Sequence, residues 1–107
     1  MNARNDDGHY DVYWPRAARR GAPHALAPRL NSLDGKLVLQ LWDFIFHGDK
    51  VFELLEEKLR ERYPTVRFVS WRETGNILGM NEREVLDSLP RRVRELGVHA
   101  VITGMAC

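Results

Sequence analysis

The sequence predicts an α/β domain built on a parallel sheet, with elements in the order β-α-β-α-β and helices on both faces of the sheet. Three short runs rich in apolar and β-branched residues each have the length of a strand, and two amphipathic segments separate them. Strands that alternate with helices pair in parallel through right-handed crossovers. We therefore expect a three-layer α/β fold.

The first strand is predicted at Leu37–Trp42, directly after the turn signal Asp34-Gly35. Its nearly continuous apolar run is typical of a strand that is buried on both faces. The second strand, Val66–Trp71, is rich in residues that favour β-structure. A third short buried strand is predicted at His99–Thr103.

The first helix is predicted from Asp49 to Arg62, because Phe52, Leu55 and Leu59 recur at helical spacing. It ends before Pro64, since proline cannot continue the backbone hydrogen-bond ladder.

The second helix is expected after Asn81, which stands three residues before Glu84 in a capping arrangement. Gly97 is a natural C-terminal stop. We expect Pro90 to kink or split this helix, because proline in a helix interior costs about 3 kcal/mol. The predicted buried stripe consists of Val85, Leu86, Leu89, Val93 and Leu96.

The chain is expected to consist of a mobile N-terminal arm, residues 1–22, and a partial α/β domain, residues 23–107. The arm is polar, Arg-rich and without hydrophobic period. Its Tyr13 and Trp14 are expected to pack against the domain, with a functional contact as the alternative. For Leu26–Leu30 a short helical turn and an extended strap both remain open.

Composition excludes several classes of function. Hydrophobic residues make up 44% of the chain, and the formal net charge is +1, so no bulk charge points to nucleic acid. No apolar run is long enough to span a membrane. The single cysteine cannot form an internal disulfide, which fits a reducing compartment. We expect a cytoplasmic protein without nucleic-acid or membrane partners.

The candidate ligand edge lies at the carboxyl ends of the strands, where open α/β sheets bind their ligands. The residues expected there are Trp42, Asp43, Trp71, Gly104 and Cys107. Glycine lets the backbone pass close to a ligand, and a following helix N-terminus lowers a thiol pKa. The alternative for the cysteine is a small inert residue at a strand end.

The sequence contains no motif that is typical of a metal-binding or cofactor-binding site. The four histidines are scattered without ligand spacing, and the glycines form no phosphate-binding fingerprint. His47 could form a polar cluster with Asp43 and Asp49, but helix capping by Asp49 is the favoured interpretation. We expect no metal and no cofactor.

The fold is expected to be incomplete at its C-terminus. Parallel strands are normally covered on both faces, yet no helix follows the third strand. Gly104–Cys107 resembles the opening of a strand-to-helix loop. Alternatively, the arm or a second copy supplies the missing cover, so a homo-oligomer is an expected partner state.

Five blocks stand out by their order and spacing: Leu26–Lys36, Leu41–Asp49, Arg62–Pro64, Arg67–Trp71 and Leu96–Ile102. Together they resemble the N-terminal half of the UGSC family of (seleno)proteins, from about Tyr13 to Cys107. The segment Leu41–Asp49 is the most distinctive of them.

The resemblance implies a selenocysteine-Gly-Ser-Cys motif, or its cysteine form, just past Cys107, and this motif is absent here. It implies the N-terminal fragment of a thiol or selenol oxidoreductase, inactive as written, with an unknown small-molecule or thiol partner. A UGA codon read as stop would produce this endpoint, as would a true nonsense truncation. Cys107 would then be a neighbouring or auxiliary thiol. The alternative function is a small non-enzymatic module that binds a ligand through Trp42, Asp43 and Trp71.

Overall fold

The computed structural model describes Gly8 and residues 11–106. The strands of this part are β1 (Leu37–Trp42), β2 (Arg67–Val69) and β3 (Ala100–Gly104), and the helices are α1 (Gly48–Arg62), α2 (Trp71–Thr74) and α3 (Glu82–Leu96). The strands form one sheet in the order β2-β1-β3, and both pairings are parallel. The predicted α/β class and parallel sheet are confirmed.

The centre of the sheet is β1, which pairs on both sides. Its residues Val38, Leu39 and Gln40 are the most deeply buried side chains described. The crossovers from β1 to β2 and from β2 to β3 run in opposite directions, so right-handed connections place α1 and α3 on opposite faces. Glu56 of α1 contacts Gln40 and thereby marks the face that α1 covers.

Helix α1 begins one residue earlier than predicted, and its central apolar residue Phe52 is buried. Capping by Asp49 is wrong. His47 occupies the cap position without a side-chain hydrogen bond, and Asp49 lies inside the first turn. There its carboxylate is favoured by the helix dipole instead.

The second strand is shorter than predicted because Ser70 redirects the chain. The Ser70 hydroxyl accepts a hydrogen bond from the Arg72 N–H at 3.2 Å and caps the short helix α2. Trp71, expected at the end of a strand, is therefore the first residue of a helix.

Helix α3 runs unbroken through Pro90, so of the predicted kink or split the split is wrong and the kink stays a prediction. Pro90 lies on the exposed side of the helix, and Leu86, whose carbonyl loses its partner, is also exposed, so water can reach that oxygen. Asn81 holds the predicted cap position but makes no side-chain cap bond. Gly97 ends the helix as predicted, in the left-handed conformation with φ 68°.

His99 stands at the amino edge of the sheet, one residue before β3. Its backbone N–H donates to the Leu37 carbonyl at 2.9 Å, and its Nδ1 accepts from the Leu37 N–H at 3.0 Å. The Leu37 N–H is thus bonded to the ring nitrogen of His99 and is not free to bond a backbone carbonyl of a longer β3. Strand β3 therefore starts at Ala100.

Residues 11–36 form no helix or strand, so Leu26–Leu30 has no helical turn. Tyr13 is 99% exposed and Trp14 is 76% exposed, and their expected packing against the domain is wrong. An Arg-rich segment without apolar period buries too little surface to offset the entropy of docking. The boundary at residue 22 remains a prediction. No helix in the described residues is long and apolar enough to cross a membrane.

Candidate functional site

The carboxyl edge of the sheet brings Trp42, Asp43 and Gly104 together. Trp42 is the last residue of β1 and pairs across the sheet with Gly104, the last residue of β3. The Asp43 N–H donates to the Gly104 carbonyl at 3.3 Å. Parallel strands in register end at one edge, which is why residues far apart in sequence meet here. Cys107, the remaining strand-end candidate, lies outside the described residues.

Trp71 reaches the same edge from α2. Its ring centroid lies 4.7 Å from that of Trp42, and the rings are nearly perpendicular. The Arg72 guanidinium lies 4.3 Å from the Trp71 centroid and 3.9 Å from the Glu53 carboxylate. Trp71 thus contacts both a cation and an aromatic ring.

Two further aromatic residues, which the sequence analysis did not single out, complete this surface. Phe44 adopts φ 63°, rare for a residue with a side chain, and its ring lies 4.5 Å from Trp42 and 5.3 Å from Trp71. The Phe46 ring lies 6.0 Å from Trp42. We call Trp42, Phe44, Phe46 and Trp71 the aromatic wall. The available signal was Phe44-Ile45-Phe46, an apolar run where a solvated loop would be polar.

The Asp43 side chain is only 3% exposed and uses both carboxylate oxygens. Oδ1 accepts from the Ile45 N–H at 3.2 Å, and Oδ2 accepts from the Ala106 N–H at 2.7 Å. These donors belong to two different loops, one after β1 and one after β3. Hydrogen bonds to an ionised acceptor are stronger than those between neutral groups. Asp43 therefore fastens the two loops to each other.

Gly104 allows β3 to end directly beneath two phenylalanine rings. A Cβ added at this position would lie 2.8 Å from Cζ of Phe46 and 3.2 Å from Cζ of Phe52. Real Cβ contacts are longer than the first of these distances, so the rings can approach this closely only because the residue is glycine.

Gln40 connects the sheet to the elements behind the wall, and the sequence analysis missed it within an apolar run. Its Nε2 donates to Glu56 Oε1 at 2.7 Å, and its Oε1 accepts from the Trp71 N–H at 3.3 Å. The Gln40 carbonyl also accepts from the Thr74 hydroxyl at 3.5 Å. The signal was the one polar residue inside an otherwise apolar strand.

Among the described residues, the indole Nε1 of Trp42 is a buried side-chain donor without a hydrogen-bond partner. The indole ring packs directly on Gly48 at the start of α1. A buried donor left unpaired costs about 1–3 kcal/mol.

Other features lie apart from this edge. An open cleft runs along α3 and is lined by Met80, Asn81, Arg83, Glu84, Asp87, Ser88 and Arg91, none of them a predicted site residue. A hydrogen bond from Lys58 to Glu61, and the charge of Glu61, raise the pKa of Lys58 on the solvent side of α1. Within Gly8 and residues 11–106, no group of three or more His, Cys, Asp or Glu is placed to hold a metal ion.

The comparisons with known proteins identify the family. A model of the UGSC family matches residues 11–107, which include the segment 11–36 before the first strand, the whole sheet and the edge just described. No curated protein and no solved structure matches the chain. Because the family model covers far more than half of the sequence, the chain belongs to the UGSC family.

Proposed function

We propose that this chain is the N-terminal part of a thiol or selenol oxidoreductase, and that its carboxyl sheet edge positions the segment that bears the reactive pair. The observation that carries the proposal is the end of β3. Gly104 lies beneath the aromatic wall, and Ala106 is hydrogen-bonded to the buried Asp43. The proposal includes a selenocysteine-Gly-Ser-Cys motif immediately after this segment, and hence a UGA codon after Cys107; membership of the UGSC family supports it.

The proposed chemistry is two-electron exchange with a disulfide. The selenolate attacks one sulfur of the substrate disulfide, forms a Se–S bond and releases the other sulfur as a thiolate. The motif's cysteine thiolate then attacks the selenium and displaces the second substrate thiolate, which leaves an internal Se–S bond. Two protons complete the two product thiols. A thiol reductant returns the pair to its reduced form by the reverse exchange.

The residues of this chain would serve as the support for that reaction. The aromatic wall offers an apolar surface beside the reactive segment, and Arg72 supplies a positive charge stacked on Trp71. Cys107 is assigned as a neighbouring thiol rather than the nucleophile. Without the motif, the 107-residue chain is expected to have no turnover.

The test begins with the gene. We expect the codon after Cys107 to be UGA and the frame to continue into Gly-Ser-Cys. The extended protein, with cysteine in place of selenocysteine, should reduce a small disulfide at the expense of dithiothreitol. The control is the same protein with the motif's final cysteine changed to serine. A different stop codon, a frame without Gly-Ser-Cys, or an extended protein no faster than its control would overturn the proposal.

A ligand-binding module is the second candidate, and the Arg72 guanidinium, 4.3 Å from the Trp71 ring centroid, favours it. A solvent-exposed guanidinium beside aromatic rings suits an aromatic anion. Benzoate should then quench the tryptophan fluorescence of the 107-residue chain saturably, and Arg72→Gln should weaken the effect. Linear quenching that is identical in the two proteins would dismiss this candidate.

Two further expectations stand as proposals. A second copy of the chain would cover the outer side of β3, where Val101 is 46% exposed, and sedimentation velocity would detect the dimer. A cytoplasmic location fits the single cysteine, and fractionation of cells that express a tagged chain would test it.

A further inference from the structure

The hydrogen bond between Asp43 and Ala106 lies one step beyond the sheet. The last backbone pair between β1 and β3 is Trp42 with Gly104, and the Asp43 N–H already bonds the Gly104 carbonyl. The backbone pairing of the sheet therefore ends before Ala106. The carboxylate contact at 2.7 Å holds only the segment that follows β3.

A carboxylate is a costly choice for this place. Asp43 is 3% exposed, and burying a charge is unfavourable unless it is fully hydrogen-bonded. Only a side chain with two acceptor oxygens can serve Ile45 and Ala106 at once, since asparagine has one acceptor and a donor group. A residue that merely ended β1 would need neither bond.

We propose that Asp43 is the positioning residue of this edge: its carboxylate fixes the backbone at Ala106 and so holds the segment after β3 in place relative to the aromatic wall. The use of that placement rests on the proposed redox function. The placement itself does not, because it follows from two contacts of the described residues.

The first test uses amide hydrogen exchange of the unmodified 107-residue chain by NMR. The Ala106 amide should be protected roughly 10- to 100-fold relative to an unstructured peptide, as expected for a hydrogen bond to a charged acceptor. An Ala106 amide that exchanges at the peptide rate would overturn the proposal, whatever any variant does.

The second test compares Asp43→Asn with Asp49→Asn. Both remove one negative charge close to the loop after β1, but Asp49 is half exposed and bonds neither Ile45 nor Ala106. Asp43→Asn should abolish the protection of Ala106 and leave the amides of β1 protected. Asp49→Asn should change none of these.

A purely structural role has a different signature. Asp43→Asn would then lower the protection of β1 and Ala106 together, and the positioning proposal would fail. Because hydrogen exchange measures no turnover, the two proposals fail separately. A gene without the Gly-Ser-Cys continuation would refute the proposed redox function and would not affect the exchange result at Ala106. An active extended protein in which the Ala106 amide is unprotected would refute only the positioning role of Asp43.

Discussion

Changing Gln40 to Glu should destabilise the protein strongly, although the two side chains have nearly the same shape. Gln40 is 1% exposed, and its amide nitrogen donates to Glu56 Oε1 at 2.7 Å. In Gln40→Glu a second carboxylate takes the place of that donor. The bond to the Trp71 N–H survives, because a carboxylate oxygen accepts as well as an amide oxygen does.

The expected loss follows from these contacts. The lost bond has a charged acceptor and contributes about 1.5–3 kcal/mol. Repulsion between two carboxylates at hydrogen-bond distance adds to it, so we expect the free energy of unfolding at pH 7 to fall by about 2–4 kcal/mol. That is a large share of the 5–15 kcal/mol of an ordinary domain.

The compensating variant makes the prediction sharp. In Gln40→Glu with Glu56→Gln the donor and acceptor change places, so the hydrogen bond returns with reversed polarity. Two costs remain: the loss of the partly exposed ion pair between Arg60 and Glu56, 3.0 Å apart, which contributes about 0–1 kcal/mol, and the burial of the carboxylate at position 40, which is 1% exposed. Urea unfolding followed by circular dichroism at 222 nm would give the free energies of unfolding of the unmodified protein, the two single variants and the double variant. If the double variant loses at least as much free energy of unfolding as the two single variants lose together, this account of Gln40 is refuted.

Two glycine substitutions test the packing of the edge. Gly104→Ala should cost about 1–3 kcal/mol, because the new Cβ would lie 2.8 Å from Cζ of Phe46, and shortening that ring in Gly104→Ala with Phe46→Leu should recover part of the loss in urea unfolding. Gly48→Ala ordinarily stabilises a helix by about 0.4–1 kcal/mol, yet here its Cβ would lie 2.5 Å from Trp42 Nε1, so a lower melting temperature is expected. A higher melting temperature would mean that the indole moves freely.

The parallel sheet could be predicted from sequence because its strongest signals are local. The run at Leu37–Trp42 is apolar without alternation, which only a strand covered on both faces requires, and its predicted bounds match β1. Helix α1 was equally evident from its apolar period. The start of α2 was not, because Ser70-Trp71 has the composition of a strand end, and one hydroxyl bond decides the conformation.

The candidate edge was predictable in outline for a topological reason. Parallel strands deliver their last residues to one place, so Trp42, Asp43 and Gly104 follow from the strand ends alone. The position of Phe44 could not be predicted, since its left-handed backbone conformation is set by the loop and not by its residue type. Such strain costs about 1–3 kcal/mol and persists only where the surroundings, here two indole rings, hold the residue.

Strand β1 organises this edge through polar side chains as well as through backbone pairing. Gln40, within the strand, accepts from the backbone of Trp71 at the start of α2, and Asp43, just after it, accepts from the backbone of Ala106 after β3. Both contacts reach segments that lie outside the sheet. Strand pairing and edge geometry therefore depend on different groups: the backbone of β1 sets the first, and two buried polar side chains set the second. A change that removes the acceptor oxygen at position 40 or at position 43 should displace the edge while the register of the sheet stays as it is.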